Sequence, residues 1–244
     1  MTGWSGKRYW LVGASEGLGR ALAFEMSRAG ATLILSARNA DRLAELVAEL
    51  PGPATAVALD IADTSSVQAA AAQVGQIEGV VFLAGVYWPM EAQAWNAEQA
   101  ETMVNINFTG AVRVVGAVMP AFVARGSGHI VLTGSLSGFR GLSGAIGYSA
   151  SKAGIMALAE SMQADLHGTG IRVQLANPGF IATRLTAKND FKMPFLMTAE
   201  QAARILFAHM ATSRFKRSFP TVFSWVFRGS QFLPDWLYYR LFGK

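Results

Sequence analysis

Tyr148 and Lys152 stand four residues apart in a stretch, Tyr148-Ser149-Ala150-Ser151-Lys152, that opens a helical pattern. Residues i and i+4 share one helix face, so the phenol and the ammonium can point into the same space. A free phenol ionises near pH 10 and is a poor base at neutral pH. A neighbouring ammonium favours the phenolate and is expected to lower that value. Upstream, Ile130-Val131-Leu132-Thr133 reads as a buried strand that Gly134 ends, with Ser135 just beyond it. Phenol, ammonium and hydroxyl together form a device for moving a proton to or from a carbonyl or alcohol oxygen. The pair alone also fits a surface Tyr and a solvated Lys that share a helix face, so the elements around it must decide.

Those elements alternate. Tyr9–Val12 reads as a strand, followed by Gly13-Ala14-Ser15-Glu16-Gly17-Leu18-Gly19-Arg20 and a helix through Arg28. Strand, glycine turn and helix in that order form a cradle whose backbone N–H groups face a phosphate. The spacing is G-x-x-x-G-x-G, and a tight turn needing positive φ would use the same glycines. A second strand, Thr32–Leu35, ends at Ser36-Ala37-Arg38, where a dinucleotide fold reads the adenosine ribose. An acid there binds a free 2′-hydroxyl; Arg38 instead accommodates a 2′-phosphate, favouring NADP(H), with NAD(H) as the alternative. Glu16 pulls weakly the other way, and Arg38 also fits a cap or surface charge. A helix over Asp41–Glu49, a strand Ala54–Leu59, a helix through Val74 and a strand Gly79–Gly85 follow. This regular alternation predicts one α/β domain, a doubly wound and mainly parallel sheet with helices on both faces. Asp60 to Asp63 could cap the third helix. From Glu98 to Ala124 the pattern is helical and apolar but holds Asn105 and Asn107, poor helix formers whose amides need partners if buried. One of them could bend the helix and expose a carbonyl to hold a water; a pair of surface amides is the plainer alternative.

The 244 residues are 52% hydrophobic and 15% charged, ample for one large core. No cysteine is present, which excludes disulfides and thiolate metal sites and fits a reducing compartment, so a cytoplasmic location is expected. No signal peptide and no spanning helix are expected. His129, His167 and His209 lack ligand-like spacing, and no metal site is expected.

With these residues in place, the chain resembles the short-chain dehydrogenase/reductase family over about residues 8–184. The resemblance rests on an ordered set: Gly13, Gly17 and Gly19, then Asp60, Asn107, Ser135, Tyr148, Lys152 and the segment Asn177-Pro178-Gly179-Phe180-Ile181-Ala182-Thr183. It implies a Rossmann-type fold and an oxidoreductase acting on a small carbonyl or alcohol substrate. Tyr148 would be the general acid/base, and Lys152 would lower its pKa while binding the nicotinamide ribose. Ser135 would hold the substrate oxygen, and Asn107 would keep a proton-relay water. Asp60 would contact the adenine, and Ile181 and Thr183 the carboxamide. Ser15, Leu18, Ile61, Ala84, Gly85, Pro178 and Gly179 complete the expected cofactor contacts. Two departures stand out: Val12 replaces the family's Thr before the first glycine, and Phe82-Leu83-Ala84-Gly85 replaces its Asn-Asn-Ala-Gly. The family further implies a homodimer or homotetramer built on the helices Glu98–Ala124 and Tyr148–His167. A non-catalytic nucleotide-binding sensor or scaffold is the rival reading.

The net charge of +5 is uneven: residues 1–183 balance to −2 and residues 184–244 to +7. Residues 184–198 are expected to be an apolar lid, with Trp88 near the pocket mouth, which suggests a lipophilic substrate. The extension 212–244 interleaves aromatics with Arg and Lys. It could lie on an anionic membrane surface, form a dimer arm, or pack on its own domain to close the cleft. A membrane-surface protein with incidental catalysis is therefore a further alternative. Nucleic acid is not an expected partner, since the basic residues form no recognisable binding module.

Overall fold

A computed structural model describes residues 3–243. Alternation along β1 (Arg8–Val12) sends Tyr9 and Leu11 to one side of a sheet and Trp10 and Val12 to the other. Both sets are buried, so the strand must be covered on both faces. On the first face lie α1 (Gly17–Arg28), α2 (Ala40–Glu49) and α7 (Ala199–Met210), supplying Leu22, Met26, Leu43, Leu46 and Leu206. On the second lie α3 (Thr64–Val74), α5 (Gly110–Arg125) and α6 (Ile146–Asp165), supplying Val67, Val114, Phe122 and Ile155.

The other strands are β2 (Thr32–Ala37), β3 (Ala54–Ala58), β4 (Gly79–Phe82), β5 (Gly128–Thr133), β6 (Ile171–Pro178) and β7 (Lys216–Phe219). All pair in parallel in the order β3-β2-β1-β4-β5-β6-β7. The order reverses between β1 and β4, which opens a crevice at their carboxyl ends. This is the doubly wound α/β architecture that the alternation predicts.

Three differences from the sequence expectation have physical causes. First, β4 ends at Phe82 rather than Gly85, because Leu83–Gly85 turn away to pass under the glycine loop. Second, the long apolar helix is a compound of α4 (Ala97–Met103), a wide π turn (Val104–Thr109) and α5. The π turn carries Asn107, whose side chain it turns into the domain interior. By length and composition this helix could cross a membrane, which the sequence reading did not anticipate; its Val114, Val118 and Phe122 are buried in the domain core. Third, the extension supplies β7 to the sheet, with Phe219 fully buried, before α8 (Thr221–Ser230) and α9 (Asp235–Phe242).

Candidate active site

Gly13 adopts φ +92°, and an added Cβ would stand 2.5 Å from the Ala84 backbone nitrogen. One at Gly19 would run into the Gly13 carbonyl. Only glycine permits so tight a turn, and it brings the N-terminus of α1 to the crevice. The crevice is a cleft of about 670 Å³. Its wall contains Gly13, Ser15, Glu16, Gly17, Leu18, Gly19, Arg38, Ile61, Ala84, Gly85, Tyr148, Lys152, Pro178, Gly179, Ile181 and Thr183. Of the expected cofactor residues, only Asp60 lies outside this wall; its carboxylate accepts from the Ala62 N–H at 2.9 Å, and Asp63 caps α3.

Arg42 and Arg184 also line the cleft and were not singled out from sequence. Arg42 lies one helical turn past Arg38, a spacing that could have flagged it. Arg184, 168 residues beyond Glu16 in the chain, carries no such signal. Both pair with Glu16, at 3.1 Å for Arg42 and 2.6 Å for Arg184, so the acid beside the phosphate turn is neutralised.

A second cavity, of about 440 Å³, adjoins the cleft. Tyr148, Gly179, Leu185 and Thr186 belong to both walls. Ser135 joins Tyr148 in this cavity, so the two hydroxyls meet where the cleft and the cavity touch. The remaining surface is largely apolar: Tyr87, Met90, Leu136, Leu142, Phe180 and Phe191, closed by Phe223 and Phe227 of α8. The tail's inner face thus packs on its own domain and lines the cavity. Arg140 clamps it there, donating to the carbonyls of Ser230 (2.7 Å) and Leu233 (2.8 Å) and stacking 3.9 Å from the Tyr238 ring centroid. Of the segment expected to form a lid, Leu185, Thr186, Asn189, Asp190 and Phe191 reach the cavity, whereas Trp88 does not line it and lies beneath Lys188.

Lys152 Nζ donates to the Thr133 carbonyl at 2.9 Å and lies 5.6 Å from the Tyr148 ring centroid. Burial pushes the ammonium down to about 8. Burial also pushes the Tyr148 phenol up to about 12, outweighing the opposing hydrogen bond from Ser135. The phenol thus lies above its ordinary value rather than below it as expected, because desolvation of the phenolate dominates and the Lys152 charge is not among the causes. Tyr148 is a protonated phenol at neutral pH, and so a proton donor. Asn107 lines neither space. Its fully buried amide accepts from the Val86 N–H (2.7 Å) and donates to the Val86 carbonyl (3.0 Å) and to Ser151 Oγ (3.0 Å). It braces the chain that leaves β4. Asn105 accepts from Arg113 at 2.8 Å.

Glycine turn, helix terminus and cleft fit a pyrophosphate-bearing dinucleotide, since side chains at Gly13 or Gly19 would fill the cradle. Residues 7–193 match the short chain dehydrogenase family. An uncharacterized oxidoreductase of Myxococcus xanthus is 36% identical over 235 residues, 93% of each chain. A 1-deoxy-11-beta-hydroxypentalenate dehydrogenase of Streptomyces exfoliatus is 32% identical, covering 84% of this chain and 80% of its own. The ketoacyl reductase HetN of a Nostoc species is 31% identical, covering 80% and 71%. Among solved structures, a short chain dehydrogenase/reductase from Burkholderia phymatum in complex with NAD superposes with a TM-score of 0.85 at 22% identity, covering 93% of this chain and 94% of that one. Sheet order, glycine cradle and sequence agree: the chain belongs to the short-chain dehydrogenase/reductase family of NAD(P)-dependent oxidoreductases.

Proposed function

We propose that the protein is an NADP(H)-preferring oxidoreductase that interconverts a lipophilic carbonyl compound and its alcohol, with Tyr148 as general acid/base. The observation that carries this reading is the placement of Tyr148 on the wall common to the dinucleotide cleft and the apolar cavity. Gly13 to Gly19 would hold the pyrophosphate, and Lys152, Ile181 and Thr183 the nicotinamide end. The bound dinucleotide supplies or accepts the hydride. In reduction, Ser135 and Tyr148 hydrogen-bond the carbonyl oxygen, and Tyr148 Oη gives its proton to that oxygen as negative charge develops on it. Lys152 then stabilises the phenolate left behind. In oxidation the same proton returns to Tyr148. Asn107 holds Val86, and through it the loop at Ala84 and Gly85, rather than touching substrate.

NADP(H) preference is supported by Arg38 and Arg42 on the ribose side of the cleft, together with the pairing of Glu16. A lipophilic substrate is supported by Phe180, Phe191, Phe223 and Phe227 in the cavity wall. Relatives named for a ketoacyl group and for a hydroxypentalenate are consistent with a carbonyl/alcohol pair. We assign 1–244 to a single domain with 184–198 as its lid and 212–244 as its extension. A cytoplasmic location is in keeping with the absence of cysteine. Homo-oligomerisation through the α4–α5 helix is supported by exposed Val112 and Val123, and peripheral membrane contact by exposed Trp225, Phe232 and Trp236 on the tail.

The test is titration of the protein with NADPH and with NADH, followed by nicotinamide fluorescence. NADPH should bind at least about tenfold tighter, and Arg38→Gln should erase most of that margin. Preference for NADH would overturn the role given to Arg38, and failure to bind either would overturn the enzyme reading.

A further inference from the structure

The lid separates two spaces. Its first half lines the substrate cavity, while Phe195, Leu196 and Met197 form one side of a groove of about 720 Å³ on its outer side. Arg204, Arg214 and Arg217 line that groove, and no Asp or Glu does. Among the described residues none of the three guanidiniums makes a side-chain hydrogen bond or ion pair, whereas Arg140 is held by Asp235 and Lys216 by Glu160. Glu200, one turn before Arg204, is the near acid; hydrogen bonding from its own backbone N–H and Thr198, with a smaller contribution from the Arg204 charge, holds its carboxyl below the usual carboxylate range. Ile205 and Ala208 give the groove an apolar flank. Three like charges beside hydrocarbon repel one another and attract a ligand with an anionic head and an apolar body.

The groove ends at Pro220, where α8 begins. The outward face of α8 carries Val222, Trp225 and Val226 at i, i+3 and i+4, exposed at 60%, 61% and 50%. Phe232, Trp236 and Tyr239 extend this surface, with Arg228 and Arg240 exposed beside them. Phe195 of the lid is itself 58% exposed and packs 5.3 Å from Phe223 on the inward face of α8. Amphipathic rings and cations, rather than plain aliphatic residues, suit the headgroup level of a bilayer.

We infer that this face docks on an anionic membrane surface, with a lipid phosphate seated among Arg204, Arg214 and Arg217 and the outward aromatics of α8 and α9 at headgroup level. The inference rests on the peripheral-contact reading for the source of the phosphate, but not for the groove itself.

Co-sedimentation of the full chain with phosphatidylcholine vesicles, with and without phosphatidylglycerol, tests it. Binding should require phosphatidylglycerol. Each Arg→Gln change at 204, 214 or 217 should weaken it about fivefold, while NADPH binding and turnover of a water-soluble carbonyl compound stay unchanged. Monomeric dodecyl phosphate, titrated by calorimetry, should bind the wild type and the Trp225→Ser/Trp236→Ser variant alike, but not the triple arginine variant. Vesicle binding that ignores the three arginines would overturn the groove and leave the peripheral contact standing. Capture of dodecyl phosphate without vesicle binding would overturn the membrane docking and leave the groove as a site for a free phosphate amphiphile. A chain that ignores vesicles and forms a dimer broken by Trp225→Ser would show that a second copy covers the face, and would overturn the inference.

Discussion

The two ends of the sheet treat buried polar groups in opposite ways. At the amino end, Tyr9, Gly79, His129 and Arg172 stand in register across β1, β4, β5 and β6. Tyr9 Oη bonds His129 Nδ1 at 2.8 Å, Arg172 reaches the same nitrogen at 3.0 Å, and His129 Nε2 meets Gln174 Oε1 at 2.8 Å. Gln174 then donates to the carbonyls of His209, Thr212 and Arg214. Gly79 makes this possible, because a Cβ there would stand 2.5 Å from the Tyr9 ring. At the carboxyl end, by contrast, Thr133 Oγ1, Ser149 Oγ and both amide atoms of Asn177 are buried without a protein partner. A closed network specifies one packing of the core, whereas polar atoms left open near a cleft are groups that a ligand or water can engage. Apart from His209 Nε2, which is also buried without a partner, the amino end is finished by folding, whereas the carboxyl end leaves several atoms to be completed by what binds.

The sharpest way to break this contrast is to remove one group at each end. Tyr148→Phe should cut turnover by about 10²–10⁴-fold, with nucleotide affinity and melting temperature nearly unchanged. Comparable activity in the variant would sink the acid/base assignment. His129→Leu should do the reverse. It leaves Tyr9, Arg172 and Gln174 without their partner, so urea denaturation should show a loss of about 3 kcal/mol, while KM of the folded fraction stays the same.

Acid should weaken the amino end too. Burial and the Arg172 charge push His129 down to about 3, and burial pushes His209 down to about 4. Unfolded imidazoles titrate near 6.5, so between these values the unfolded chain binds more protons. Stability is therefore complete above about pH 6.5 and lost as pH falls through that window, by up to about 1.4 kcal/mol per unit for each imidazole. Urea midpoints measured from neutral pH downward should show the slope, and His129→Leu should remove about half of it; an unchanged slope would place the titration elsewhere. The smallest effect belongs to the tail. Arg140→Ala should cost about 1–2 kcal/mol and raise the substrate KM several-fold through a loosened Phe223–Phe227 wall, with NADPH affinity intact. A KM that does not move would mean that the tail is irrelevant to the cavity.

Much of this was legible before any fold was known, because it depends on local order along the chain. Alternation of apolar runs with helical periodicity dictates a doubly wound parallel sheet, and G-x-x-x-G-x-G after the first strand dictates a tight glycine turn at the cleft. Ser135 at a strand end, with Tyr148 and Lys152 one turn apart, brings the site together. Long-range contacts were not legible. Only the tertiary structure pairs Glu16 with Arg184, presses Phe223 and Phe227 against the cavity, and adds β7 to the sheet, since each joins segments that no local spacing relates. The Tyr148 pKa turned on the same distinction. Sequence spacing supplies the neighbouring cation, but the degree of burial is a property of the whole fold, and it is burial that raises the phenol.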